Sequence, residues 1–217
     1  MATQKITTSK GSLEWVTING EGKENLSGRL QYVANLVLDP DNNEADAACV
    51  AKIHDFWKEN KPAKLKKDAK SLGLYPHKVK ASEPDEDGDA VYEETGKVVL
   101  SFKTATTYPN GNPKVIQVYN AKAQLVTLNN TSIGNGSIGQ ISGAMGIYEV
   151  KDNKGNLIDA GVTLYLDKIK LSKLVEFEQA SGFDADEDID EDTFVGDEGW
   201  TGSEAGESSA ETSGPRL

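Results

Sequence analysis

Arg29-Leu30-Gln31-Tyr32-Val33-Ala34-Asn35-Leu36-Val37-Leu38 is the stretch that decides the fold class. Leu30, Tyr32, Ala34, Leu36 and Leu38 fall on one side of an extended chain and Arg29, Gln31, Val33 and Asn35 on the other, the period-2 pattern of a strand with one buried face. The turn-rich Asn19-Gly20-Glu21-Gly22 separates it from an earlier strand, Leu13 to Ile18, so the chain opens as a β-meander. Asp39-Pro40-Asp41-Asn42-Asn43 then breaks the strand and offers a helix cap. Beyond it Ala47, Cys49, Val50, Ile53, Phe56 and Trp57 recur at helical spacing within Glu44 to Asn60, which predicts one amphipathic helix with its apolar stripe in the core.

Four further strands are expected in the second half: Gly96 to Thr107, Pro113 to Leu128, Gly139 to Val150 and Gly161 to Phe177. Asn110-Gly111 and Asn153-Lys154-Gly155-Asn156 supply hairpin turns. Five or six strands with one helix, and no alternation of strand and helix, point to a mainly β chain forming a five-stranded antiparallel OB-fold barrel. A jelly roll or an immunoglobulin-like sandwich has a similar strand count and stays open at this point.

Charge divides the chain unevenly. Residues 183–217 hold twelve Asp/Glu against one Arg, so the 35 acidic and 23 basic residues of the whole chain fall to 23 and 22 over residues 1–182. The expectation is an OB-fold domain over 1–182 and a disordered acidic tail over 183–217, an asymmetry that suits a nucleic-acid or polycation partner. The lone Cys49 excludes an internal disulfide and fits a reducing, intracellular compartment. Met1 to Lys5 lead into polar residues rather than the apolar core of a signal peptide, and no run approaches the roughly 20 apolar residues of a membrane span.

The chemistry of catalysis is thinly represented. The two histidines, His54 and His77, accompany no G-x-S-x-G, H-E-x-x-H or phosphate-loop pattern, so a serine or cysteine nucleophile lacks a base and no enzyme activity or cofactor is expected. Glu83 to Glu94 fills the calcium-loop template with Glu83, Asp85, Asp87, Gly88 and Glu94, yet Pro84 intrudes and the flanks are not helical. A solvated acidic loop describes it better. The competing functional class is a non-catalytic β-domain interaction protein, calcium-responsive through this loop.

What remains is a binding surface. With Val98, Leu100 and Phe102 facing the core, Ser101 and Lys103 face out; Lys114, Asn120 and Lys122 are assigned outward parity in the next strand. Ile141, Met145 and Ile147 oppose Tyr148, and Val162, Leu164 and Leu166 oppose Tyr165. Outward tyrosines beside lysines suit single-stranded nucleic acid, because every base has a face on which a ring can stack. Arg29 joins this set from its strand parity. The lysine-rich segment Lys58 to Lys80, with Lys64, Lys66 and Lys67 at its centre, either touches phosphate or neutralises the acidic run Glu83 to Asp89.

Order and spacing then carry a resemblance: Lys5-Ile6-Thr7-Thr8-Ser9 near the start, the helix around Cys49, Gly136-Ser137, Tyr148-Glu149-Val150, the closing strand Ala160-Gly161-Val162-Thr163-Leu164-Tyr165-Leu166, and the acidic tail behind it. Over nearly its full length the chain resembles the phage single-stranded DNA-binding replication proteins. The resemblance implies an OB-fold that coats ssDNA without sequence specificity or chemistry, in the cytoplasm of a bacterial host cell, with Lys5 and Tyr148 at matching positions on the DNA face. It also implies a tail that modulates DNA binding and meets replication proteins such as a polymerase or helicase. Family tails commonly end in an aromatic residue, whereas here Gly214-Pro215-Arg216-Leu217 closes the chain and the tail aromatics are Phe194 and Trp200, which suggests an internal partner motif.

Overall fold

In the computed structural model, residues 2–65, 68–83, 89–128 and 131–177 are described. In chain order the elements are β1 (Thr3–Thr7), β2 (Gly11–Thr17), β3 (Lys23–Glu24), β4 (Leu30–Leu38), α1 (Glu44–Asn60), β5 (Leu74–Lys80), β6 (Tyr92–Ala105), β7 (Gln117–Tyr119), β8 (Leu125–Val126), β9 (Ser137–Lys151) and β10 (Leu157–Lys173). β2 pairs β4, β4 pairs β6, β6 pairs β10, β10 pairs β9, and β9 returns to β2, which closes a five-stranded OB-fold barrel. Every seam is antiparallel except β6–β10, where Leu164 lies beside Phe102 and Tyr165 beside Lys103 in parallel register.

The alternation read from residues 29–38 holds in the barrel: Tyr32, Ala34, Leu36 and Leu38 are buried while Gln31, Val33 and Asn35 stand on the outer face. Leu13, Leu100, Phe102, Ile141, Met145, Leu164 and Leu166 complete the interior. Helix α1 connects the second and third barrel strands; Asn43 caps it by accepting from the Ala45 and Asp46 N–H groups. Its buried Cys49, Ile53, Phe56 and Trp57 join the barrel core, and the helix packs against β9 and β10. Burial raises the Cys49 thiol pKa above its ordinary value.

Two details differ from the sequence expectation. β1 and β5 are additional strands, one laid on β9 and the other on β6; of β1 only Ile6 is buried, and β5 is exposed along most of its length, so neither carries an alternation to read. Residues 113–128 do not form one strand but the short hairpin β7–β8. Asn120 Oδ1 accepts from the N–H groups of Lys122 and Gln124, and Ala123 sits at φ 59°, which reverses the chain there. The flanks of the calcium-loop template are non-helical, as read from the sequence: it runs from β5 into β6, with Tyr92 and Glu94 in strand pairing, and residues 84–88 lie outside the described set.

The predicted turn between the last two barrel strands is present. Asp152 Oδ1 accepts from the N–H groups of Lys154 and Asn156, each at 2.8 Å, and these bonds, with the Asn156 side chain foremost, lower the pKa of the carboxyl. From this turn β9 and β10 run paired over 15 and 17 residues, long enough to serve both the barrel and the outer strands.

Candidate nucleic-acid interface

One cross-strand row organises the outer face. Lys5 on β1 is in register with Ala144 on β9, Ala144 with Tyr165 on β10, Tyr165 with Lys103 on β6, and Lys103 with Val33 on β4. Strands lie about 4.8 Å apart, so Lys103 is one spacing from Tyr165 and Lys5 two spacings away on the other side, across the small Ala144. Three of the residues singled out from the sequence are therefore brought into a single line across the barrel.

Tyr148 joins them four residues along β9 from Ala144, two positions further on the same face. Its register partner is Gly161, and a methyl group there would stand 2.8 Å from Tyr148 Cε1 and collide with the Ser71 carbonyl oxygen, so only glycine lets the ring and the Ser71 segment settle on the strand. Tyr165 lies over Gly146 in the same manner, where a methyl would stand 2.8 Å from its Cε2. Each ring packs closely against a glycine; Tyr165 is 43% exposed and Tyr148 half-buried. Burial, then the nearby Asp159 and Tyr75, raise the Tyr148 hydroxyl pKa against a hydrogen bond with the Ser71 backbone, so this ring stays neutral.

Tyr75, on β5, closes the other side, its hydroxyl 3.2 Å from Ser71 Oγ. Together Tyr75, Lys103, Tyr148, Thr163 and Tyr165 line a cleft of about 340 Å³. Lys103 also borders a second cleft, formed with Gln31 and the Glu24–Ser27 turn, so the depression continues over β6 onto β4. Below Tyr165 the outer face of β10 carries Lys168 and Lys170, in register with Ser142 and Gln140 on one side and with Gln117 and Tyr119 on the other. None of Lys5, Lys103, Lys168 and Lys170 is ion-paired among the described residues. Unpaired lysines around aromatic rings are the composition that tracks a phosphate backbone while its bases stack.

The remaining candidates lie elsewhere. Arg29 is exposed at the tip of the β3–β4 hairpin, its N–H on Asn25 Oδ1, on the parity of Gln31 and Val33. Lys114 does not have the outward parity assigned to it. It shares its side with the buried Ile116 and Val118, donates to Thr104 Oγ1 at 2.6 Å and lies 5.6 Å from the centre of the Tyr108 ring, because residues 113–116 precede the short β7 instead of continuing a long strand. Lys122 is likewise displaced from a strand face to the exposed tip of the β7–β8 turn. Lys64 is exposed in the turn after α1 and lines neither cleft. Lys66, Lys67, Phe194 and Trp200 lie outside the described residues. Sequence reading passed over Tyr75, Lys168 and Lys170; strict alternation from Leu166 would turn both lysines inward, but a bulge between Leu166 and Lys168 resets the parity and buries Ile169 and Leu171 instead.

No protein-family model and no curated protein sequence matches the chain. Among solved structures, the chain is similar to a C-terminally truncated single-stranded DNA-binding protein from bacteriophage Enc34, with a TM-score of 0.50 at 14% identity, over 78% of this chain and 85% of that one. It is also similar to the Enc34 protein in complex with ssDNA, with a TM-score of 0.50 at 13% identity, over 82% of this chain and 89% of that one. A third likeness is to gp2.5, a single-stranded DNA-binding protein encoded by bacteriophage T7, with a TM-score of 0.48 at 16% identity over 90% and 100% of the two chains. The chain shares the fold of the Enc34 protein.

Proposed function

We propose that the protein binds single-stranded DNA without sequence specificity and without catalysis, laying the strand across the outer face of the barrel. The observation that carries this reading is the row Lys5–Ala144–Tyr165–Lys103, with Tyr148 beside it and glycines beneath both rings. Rings held against the sheet present a flat apolar face of the size of a base, at roughly 1–3 kcal/mol per stacked base, and the flanking lysines neutralise phosphates. In a duplex the bases are stacked on each other and unavailable to these rings, so the arrangement favours single strands. The likeness in fold to an ssDNA-bound phage protein supports the same assignment.

The wider role follows from that binding. The protein coats exposed single strands during phage replication, recombination and repair in the host cytoplasm, and the acidic segment 183–217 competes with DNA for the lysine face and recruits replication proteins, Phe194 and Trp200 acting as apolar anchors. Fluorescence anisotropy of a labelled oligo(dT), titrated with the full chain and with Tyr148→Ala and Tyr165→Ala variants, tests the reading. Weaker binding by folded variants supports it, and unchanged affinity assigns the rings to packing alone.

A further inference from the structure

On the far side of β4 from the tyrosine cleft the outer face carries a second depression. Trp15 sits in a bulge of β2, between Glu14 and Thr17, at φ 51°, and its N–H donates to Asn135 Oδ1 at 2.8 Å. The left-handed backbone turns a residue that alternation with the buried Leu13 would place inside out into solvent, where it is 69% exposed. Facing it is Phe177, 63% exposed and held by a hydrogen bond from its N–H to the Ser132 carbonyl. Between them opens a groove of about 690 Å³ whose lining includes Lys23, Val33 and Asn35. Asn35 Oδ1 is buried there and accepts from no donor among the described residues.

We propose that this groove is a second nucleobase subsite, in which Trp15 stacks on a base of the same strand that occupies the tyrosine cleft. The inference rests on the ssDNA reading above. Two observations select a nucleobase as occupant. Val33 is in register with Lys103, so the groove continues the row that already holds Tyr165 and Lys5. The groove also combines an exposed indole with a cation at Lys23, which match the face and the phosphate of a nucleotide. Along the row, through β6 and β4, β10 to β2 is three strand spacings, about 14 Å of barrel surface, or roughly four stacked nucleotides at 3.4 Å each. One strand therefore spans both subsites.

The test uses the full chain, its Trp15→Phe and Trp15→Ala variants, Tyr165→Ala as a marker of the first subsite, and (dT)12 as probe. The proposal predicts that, with Trp200→Phe as the common background so that Trp15 and the buried Trp57 are the remaining indoles, (dT)12 quenches tryptophan emission and the quenching lost on adding Trp15→Phe accounts for most of it. Trp15→Ala should weaken (dT)12 binding by about 5- to 150-fold. Should Trp15→Ala melt early, the difference in quenching with and without Trp15→Phe in that background decides. If the wild-type chain binds no (dT)12, the ssDNA reading falls and the subsite with it. If it binds and Tyr165→Ala weakens it, while Trp15→Phe keeps the quenching and Trp15→Ala the affinity, the subsite is wrong and the ssDNA reading stands.

Discussion

Replacing Gly146 by alanine moves the Tyr165 ring without removing it. The added methyl would stand 2.8 Å from Tyr165 Cε2 and 3.6 Å from Cδ2, and it meets no backbone atom closer than these. A comfortable carbon contact needs about 3.5–4.0 Å, so the ring must lift by roughly 0.7 Å at its edge, which a side chain 43% exposed can do by a small χ rotation. The fold should tolerate the change: Gly146 is buried beneath the ring but does not occupy the left-handed region, and the cost of lifting a partly exposed side chain is offset in part by the stiffer unfolded chain. Stacking is less forgiving. Losing the ring altogether is worth roughly 1–3 kcal/mol per base, and tilting it should forfeit the lower end, about 1 kcal/mol or fivefold in affinity. Anisotropy titrations of labelled (dT)12, with melting curves alongside, should rank wild type above Gly146→Ala and Gly146→Ala above Tyr165→Ala. Equal affinities for all three folded proteins would refute the claim that Tyr165 stacks on a base.

Three other outcomes are expected. Lys168→Gln with Lys170→Gln should reduce the slope of log affinity against log salt by about 1.4, at 0.7 for each phosphate contact on a single strand, and an unchanged slope would remove both lysines from the DNA path. Truncation after Gly182 removes eleven net negative charges and should tighten ssDNA binding, most at low salt where screening is weakest; superimposable salt titrations of the intact and truncated chains would leave the tail no part in DNA binding. Because burial raises the Cys49 pKa, the thiol remains protonated through neutral and mildly alkaline pH, and a thiol-reactive dye should label it at pH 8 only as denaturant unfolds the chain; rapid labelling of the native protein would contradict its burial.

Much of the barrel was legible because its strands alternate cleanly. Tyr32 to Leu38, Leu100 with Phe102, Ile141 to Ile147 and Val162 to Leu166 all bury the predicted side, and that alone put Lys103, Tyr148 and Tyr165 outside together. The strand pairing that aligns them with Lys5 was not legible, since register is a property of two strands and their bulges. Bulges also explain the lysines and the tryptophan that were missed. Counting in twos from Leu166 hides Lys168 and Lys170, and counting from Leu13 hides Trp15; in each case one extra residue reverses the parity. Lys114 failed for the converse reason. A strand was assumed to run through it to residue 128, whereas the chain turns at Asn120 and leaves the lysine on the side of Ile116.

Selection of single-stranded DNA by this face can be measured by titrating the full chain onto a labelled oligo(dT) and onto a duplex of equal length at several salt concentrations. Binding to the single strand should be much tighter than to the duplex. With Lys5, Lys103, Lys168 and Lys170 all on phosphate, the log–log salt slope should lie near −2.8, about 50-fold in affinity between 50 and 200 mM salt. Equal affinity for duplex and single strand, or single-strand binding indifferent to salt, would contradict this reading of the face.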